Sequence, residues 1–162
     1  MNKPILKKYF TDIAIILIIA IFFIADRLFK ALALNIKSED AKIIIDPIFL
    51  FNFTENRNIA FSLPFSGPVL NIVIICLILG IIFIIGRLIF RAKKLTLEAM
   101  ILTFILFGAI SNIVDRLQYG FVIDYLEIKN FTIFNLADVM ISGGALFLIL
   151  KNFQSIKKGY DK

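Results

Sequence analysis

The sequence predicts a membrane all-α protein: a bundle of four transmembrane helices with a small β-strand, an interfacial element, on the extracytoplasmic side. Three observations carry that expectation. Hydrophobic residues make up 60% of the 162-residue chain, against roughly 45–50% in soluble proteins. Charged residues are only 19%, and the apolar residues fall in four runs, each near the ~20 residues a helix needs to cross ~30 Å of hydrocarbon. The formal net charge is +6, but the basic residues cluster between the runs, as topology selection in a membrane requires. That placement argues against nucleic acid as the partner.

The first run, residues 12–34, follows Lys3, Lys7 and Lys8. It shares features with a secretory leader, because Ala31, Leu32 and Ala33 resemble a cleavage site. Asp26, Arg27 and Lys30 lie between the apolar stretch and that site and three more runs follow, so it reads as a span. The second run covers 68–90 and is joined to the third, 97–117, through Arg87, Arg91, Lys93 and Lys94. The fourth, 134–153, leads into Lys151, Lys157, Lys158 and Lys162. With four crossings these basic clusters share one side, so both termini are expected in the cytoplasm and segments 35–67 and 118–133 outside. The chain reads as one integral membrane domain, 1–162.

The outward segments are apolar for loops. Phe49, Phe51 and Phe53 alternate within residues 43–54, a period of two that predicts a short strand suited to the membrane surface. There is no Trp to mark an aromatic belt.

The chemistry available is restricted. Cys76 is the only cysteine and sits inside an apolar run, so an internal disulfide cannot form and the residue reads as lipid-facing or as core filler. Histidine is absent, which removes the commonest general base and metal ligand. No cofactor or metal is implied. Any catalysis falls to carboxylates, Lys, Tyr or hydroxyls.

The polar residues of the spans are unevenly distributed. Asp26 and Lys30 lie in the outer half of the first span, Asn112, Asp115 and Arg116 at the outer end of the third, and Asn135 and Asp138 at the start of the fourth. Asn56 and Asp124 join them from the outward segments. Each has an ordinary structural reading. Asp26 and Lys30 stand four apart and can pair on one helix face. Asn112 can bond between helices, Arg116 suits a helix C-terminus, Asn135 and Asp138 can cap a helix, and Asp124 can be a loop acid. Charged groups cost roughly 2.5–3.5 kcal/mol each at mid-bilayer, and these all converge at one depth near the outer interface. That convergence points to a site.

Two carboxylates held close cannot both ionise cheaply, so a pair formed by Asp124 and Asp138 would share a proton near neutrality. The ionised partner can take a proton from water while the other donates to a carbonyl oxygen, which is hydrolysis without a covalent intermediate. Asp138, near the N-terminus of the fourth span, is favoured as the anion by the helix dipole. Asp124 would then begin as the acid. Intramembrane acids also mark ion paths, so a proton- or ion-coupled transporter subunit is the alternative, and a structural subunit that uses polar groups only for packing is a third. The scarcity of ionisable groups in the inner halves of the spans weighs against transport.

At these residues the chain resembles a known family. GAISNIVDR at 108–116, VIDY at 122–125 and FNLAD at 134–138 are similar in order and spacing to the motifs of bacterial lipoprotein signal peptidases, the type II signal peptidases. DRLFK at 26–30 resembles that family's D-x-x-x-K, and NRNIAFS at 56–62 its N-x-G-A-A-F segment. The resemblance covers essentially the whole chain. It implies an aspartic endopeptidase of the bacterial cytoplasmic membrane that cuts diacylglyceryl-modified prolipoproteins immediately before the lipidated cysteine. It assigns Asp124 and Asp138 as the catalytic dyad, Asn56, Asn112, Arg116 and Asn135 as residues holding substrate and dyad, and Asp26 with Lys30 as a supporting pair. Asp115 enters as a structural partner. Globomycin-type cyclic peptides are the inhibitors the resemblance implies, surrounding lipid a further partner, and a monomer the expected state. Two departures stand out. Asn58 and Ile59 replace the usual Gly and Ala, although Asn tolerates positive φ, and the connection from Asp124 to Asp138 is shorter than is common.

Overall fold

The computed structural model describes residues 3–35, 42–45, 48–57 and 67–160. Their order is α1 (Lys3–Ala33), β1 (Lys42–Ile45), β2 (Phe49–Asn56), α2 (Pro68–Ala92), α3 (Leu97–Tyr119), β3 (Val122–Ile128), β4 (Thr132–Phe134) and α4 (Leu136–Tyr160). Among the described residues, three helices are long and apolar enough to cross a membrane: Pro68–Ala92, Leu97–Tyr119 and, within α4, Leu136–Gln154. The 31-residue α1 is longer but carries Asp12, Asp26, Arg27 and Lys30. Asn58 and Ile59, the departures noted above, lie outside the described residues.

The helix ends follow local chemistry. Pro68 occupies the first turn of α2, where its missing N–H costs nothing. The hydroxyl of Thr96 accepts from the amide of Ala99 at 3.2 Å and caps α3. At the other end Gly120 takes φ 81 and donates its amide to the Arg116 carbonyl at 3.1 Å, the left-handed closure that glycine adopts without strain. The helix therefore runs past the expected end at 117. The helix α4 starts at Leu136 rather than at Phe134, because Phe134 pairs with Leu126 in the sheet and Asn135 is the cap.

The sheet is larger than the sequence predicts. In place of one strand within 43–54 there is a hairpin, β1 with β2, and the connection 118–133 contributes another, β3 with β4. The four strands form an antiparallel sheet in the order β1-β2-β3-β4. The all-α expectation is corrected to this extent. The second hairpin closes through Asn130 at φ 63, a conformation asparagine tolerates better than most residues. The register with β3 shifts between Phe51 and Thr54, which interrupts the alternation of Phe49, Phe51 and Phe53, and their rings meet Phe134, Tyr125 and Phe121 respectively. Phe51 also meets Phe29 of α1.

The helix α3 packs against α1, α2 and α4. Edge-to-face contacts of Phe22 with Phe104 and Phe23 with Phe107, at 5.4 and 5.3 Å, join it to α1. Gly108 and Gly144 bring α3 and α4 together, for a Cβ on either would lie within 3.0 Å of the facing helix. Small residues at such crossings let backbones approach closely. Lysine 151, Lys151, closes the opposite end of this pair through an ion pair with Glu98. Most large apolar side chains on the helix surfaces are exposed, as on Ile21, Phe83 and Phe147, which suits lipid contact. Cys76 is also exposed, in keeping with a lipid-facing position. Where the sheet meets the bundle, Ala33, Ile123 and Tyr125 form a fully buried core flanked by Phe51, Phe53, Phe121, Leu126 and Leu136.

Candidate active site

The two acids singled out by sequence arrive from neighbouring elements. Asp124 lies on β3 and is 2% exposed, and Asp138 lies in the first turn of α4, half-buried. Asn135, the residue just before α4, engages both. Its side-chain amide donates to Asp124 Oδ1 at 2.6 Å, and its backbone amide donates to Asp138 Oδ2 at 3.2 Å. In return Asn135 Oδ1 accepts from the Asp138 amide at 2.8 Å. This is a reciprocal capping arrangement at positions Ncap and N3. The capping and site readings of Asn135 and Asp138 are therefore one geometry.

The remaining carboxylate oxygens are also held. Asn56, from the end of β2, donates to Asp124 Oδ2 at 2.8 Å, and Asn112, from α3, donates to Asp138 Oδ1 at 2.8 Å. The Asn112 carbonyl oxygen accepts from Lys30 Nζ at 2.8 Å and from Asn135 Nδ2 at 3.2 Å. These acceptors fix which way the Asn112 amide points. Arg116 is near enough to Asp124, Asp138 and Asp115 for their charges to act on it.

Burial raises the Asp124 carboxyl from its ordinary 3.8 to about 7, and the neighbouring Asp138 charge adds to the rise. The amides of Asn56 and Asn135 oppose it by bonding to the ionised form. Asp124 thus holds a proton over a range in which an ordinary aspartate does not.

Beneath the acids lies a buried ionic cluster. Lys30 Nζ pairs with Asp26 Oδ2 at 3.0 Å on its own helix and with Asp115 Oδ2 at 2.7 Å. All three side chains are fully buried. Arg27 completes the balance with Asp115 Oδ1 at 2.5 Å, leaving two acids and two bases that neutralise one another. Asp26 does more than pair. It accepts from Ser111 Oγ at 2.5 Å, from the Tyr125 hydroxyl at 3.0 Å and from the Ala137 amide at 3.1 Å. The carboxylate from α1 therefore satisfies an open N–H at the start of α4. The Tyr125 hydroxyl in turn accepts from the Leu136 amide at 3.1 Å.

Every site residue predicted from sequence lies in this connected assembly or beside it. Sequence reasoning missed Arg27, Ser111 and Tyr125. A weak signal existed for each: Arg27 is a third charge on a span with one obvious pair, and Ser111 and Tyr125 sit inside motifs already singled out. Asp115 holds Arg27 and Lys30 and accepts from the Ile123 amide at 3.3 Å.

Comparisons with known proteins concern most of the chain. The family described as Signal peptidase (SPase) II matches residues 18–154. A lipoprotein signal peptidase of Thermodesulfovibrio yellowstonii is 34% identical over 154 residues, 92% of this chain and 98% of the relative. One from Caldicellulosiruptor bescii is 35% identical over 138 residues, 83% of this chain and 89% of the relative. Two solved structures, both described as bacterial membrane enzymes determined by the in meso method, share the fold. One has a TM-score of 0.76 at 20% identity over 90% of each chain. The other has a TM-score of 0.68 at 22% identity over 85% of this chain and 91% of its own. The transporter alternative finds no support among these relatives. With paired carboxylates in a histidine-free assembly, apolar helices around it and a family match spanning all of these motifs, the chain belongs to the signal peptidase II family of aspartic-type membrane peptidases.

Proposed function

We propose that Asp124 and Asp138 are the catalytic dyad of an endopeptidase that cleaves diacylglyceryl-modified prolipoproteins immediately before the lipidated cysteine. The observation that carries this is Asn135, which holds one carboxylate with its side chain and the other with its backbone. Asp124 begins protonated, in keeping with its raised pKa. Asp138 begins as the anion, in the first turn of α4 where the helix dipole favours it. The Asp138 carboxylate takes a proton from a water molecule as the oxygen attacks the scissile carbonyl carbon, and Asp124 gives its proton to the carbonyl oxygen. Collapse of the tetrahedral diol returns a proton to Asp124 and transfers one from Asp138 to the departing cysteine nitrogen. Arg116 steadies the negative charge that stays on the dyad throughout.

The remaining assignments extend this reading. Asn56, Asn112, Arg116 and Asn135 hold substrate and dyad, and Asp26 with Lys30 supports them. The helix α1 is the fourth crossing, its inward charges neutralised in the ionic cluster. Both termini lie in the cytoplasm, the dyad lies near the outer face, and residues 1–162 form one monomeric domain. A diacylated cysteine has its acyl chains in the outer leaflet, so its scissile bond lies at the same depth. Anchoring by lipid and by signal peptide together supplies the positioning that acid-base hydrolysis needs. A globomycin-type cyclic peptide is expected to occupy this site.

The test is incubation of the purified protein in detergent with diacylglyceryl-modified and unmodified prolipoprotein. The modified form is expected to be cleaved and the unmodified form spared. Cleavage by Asp138→Ala at the wild-type rate would remove the dyad assignment.

A further inference from the structure

The lipid-facing side of α2 carries a feature unrelated to the dyad. Apart from two arginines the helix has no charged residue, and apart from two phenylalanines it has no aromatic one. All four lie together. Phe83, Gly86, Arg87, Phe90 and Arg91 line one shallow, open surface cleft, with the i, i+3, i+4, i+7, i+8 spacing of a single helical face. The half-buried residues Ile74, Ile78, Ile81, Ile85 and Leu88 mark the opposite face, toward α3. The cleft therefore looks directly away from the protein.

Its chemistry is specific. Phe83 and Phe90 are 65% and 84% exposed, and the Arg87 guanidinium lies over the Phe83 ring at 6.0 Å. Gly86 leaves the floor between the rings open, because a Cβ there would meet no atom within 4 Å. Arg87 and Arg91 stand one helical turn apart at the end of the apolar run, with exposed Lys93 and Lys94 following. Among the described residues no carboxylate pairs with any of these four cations. Glu98, at the start of α3, is taken by Lys151.

We propose that this face of α2 binds an anionic phospholipid, with the phosphate held by Arg87 and Arg91 and an acyl chain lying over Gly86 between the rings of Phe83 and Phe90. Two guanidinium groups one turn apart present forked donors that suit a phosphodiester, and their aliphatic stems can lie along the apolar wall while the charged heads reach the interface. Basic sites of this kind at the ends of membrane helices are where anionic headgroups collect. The competing explanation is that the arginines only set topology. In that case any cation serves equally and the cleft is incidental.

The two are separated by lipid titration of the delipidated protein, read by native mass spectrometry with phosphatidylglycerol and phosphatidylcholine. The wild type is expected to retain phosphatidylglycerol in preference. At about 1 kcal/mol per basic residue, Arg87→Gln or Arg91→Gln should each weaken that preference about 5-fold, and the double variant about 30-fold. Gly86→Leu fills the floor without altering charge and has room to do so, and it should also reduce retention. Arg87→Lys with Arg91→Lys should retain less than wild type despite equal charge. Prolipoprotein cleavage, which uses none of these residues, checks that each variant is folded. Equal retention of the two lipids by the wild type would overturn the proposal. So would wild-type retention in both the double Gln variant and Gly86→Leu.

Discussion

The side-chain amide of Asn135 donates to Asp124 Oδ1 at 2.6 Å while its oxygen caps α4 through the Asp138 amide at 2.8 Å. One side chain thus links the two acids and starts the helix that carries one of them. The two tasks can be separated. Asn135→Ser retains a good N-cap but is too short to hold Asp124, whereas Asn135→Ala loses both. Asn135→Ala is expected to lose about 1 kcal/mol of stability from the cap alone, and Asn135→Ser much less, while both lose activity. Thermal unfolding in detergent and initial cleavage rates check this. Equal activity of Asn135→Ser and wild type would reduce Asn135 to a cap.

Removing either acid should abolish turnover without unfolding the protein. Asp124→Asn and Asp138→Asn preserve shape but remove the group that moves a proton, and such groups contribute typically ~10²–10⁴ in rate. Each variant is expected to lose at least that much in kcat on a diacylglyceryl-modified substrate, with substrate binding largely retained. A rate within tenfold of wild type for either would contradict the dyad.

The raised pKa of Asp124 has a consequence for pH. Activity that needs the protonated acid should fall with an apparent pKa near the value of about 7. Stability should follow with a definite sign. Asp124 binds its proton more tightly folded than unfolded, so folding takes up a proton between the ordinary 3.8 and about 7. Its contribution is fully present below the lower value and lost as pH rises through the upper one, with a slope up to ~1.4 kcal/mol per pH unit in that window. Asp124→Asn should flatten this slope. Unfolding at a series of pH values measures it, and an unchanged slope would rule out Asp124 as its source.

The buried cluster behaves differently, because Asp115 is the partner shared by Lys30 and Arg27. Removing one member of a buried charge group typically costs 3–5 kcal/mol. Asp115→Ala should therefore be strongly destabilising and poorly expressed. Arg27→Ala should cost less, since the Arg27 side chain is 28% exposed and Asp115 keeps Lys30 as a partner. Yields and unfolding midpoints of the two variants give the comparison.

Much of this assembly was legible in the sequence because a charged or amide side chain in an apolar helix is expensive and has to be explained. Asp26, Lys30, Asn112 and Asp138 declared themselves in that way. Asp124 and Asn135 needed the neighbouring motifs. The sheet was harder to see, since Val122 to Ile128 is apolar enough to pass for a lipid-compatible connection and its strand pairing depends on β2, far away in sequence. The Tyr125 hydroxyl was illegible for a related reason. Its partners, Asp26 and the Leu136 amide, lie on two other elements, and nothing local to VIDY indicates them.

The crossing of α3 and α4 offers a test of how finely Asp138 is placed. A Cβ on Gly108 would lie 2.7 Å from the Ala137 carbonyl oxygen and 3.0 Å from Met140 Cβ. The first of these is backbone in the turn that carries Asp138, and backbone cannot rotate aside. Gly108→Ala must therefore push the start of α4 away, carrying Asp138 from Asn112 and from Asp124. A displacement near 1 Å can cost ~10²-fold in rate, and that loss in kcat is expected here. Gly144 is the control on the same interface. A Cβ there would meet Ile105 Cγ1 at 2.5 Å, a side chain of α3 that can change rotamer. Gly144→Ala should cost about 1–3 kcal/mol by overpacking yet keep its rate per folded molecule. Cleavage rates normalised to folded protein distinguish the two, and equal rates for both variants would show that the close approach at Gly108 serves packing alone.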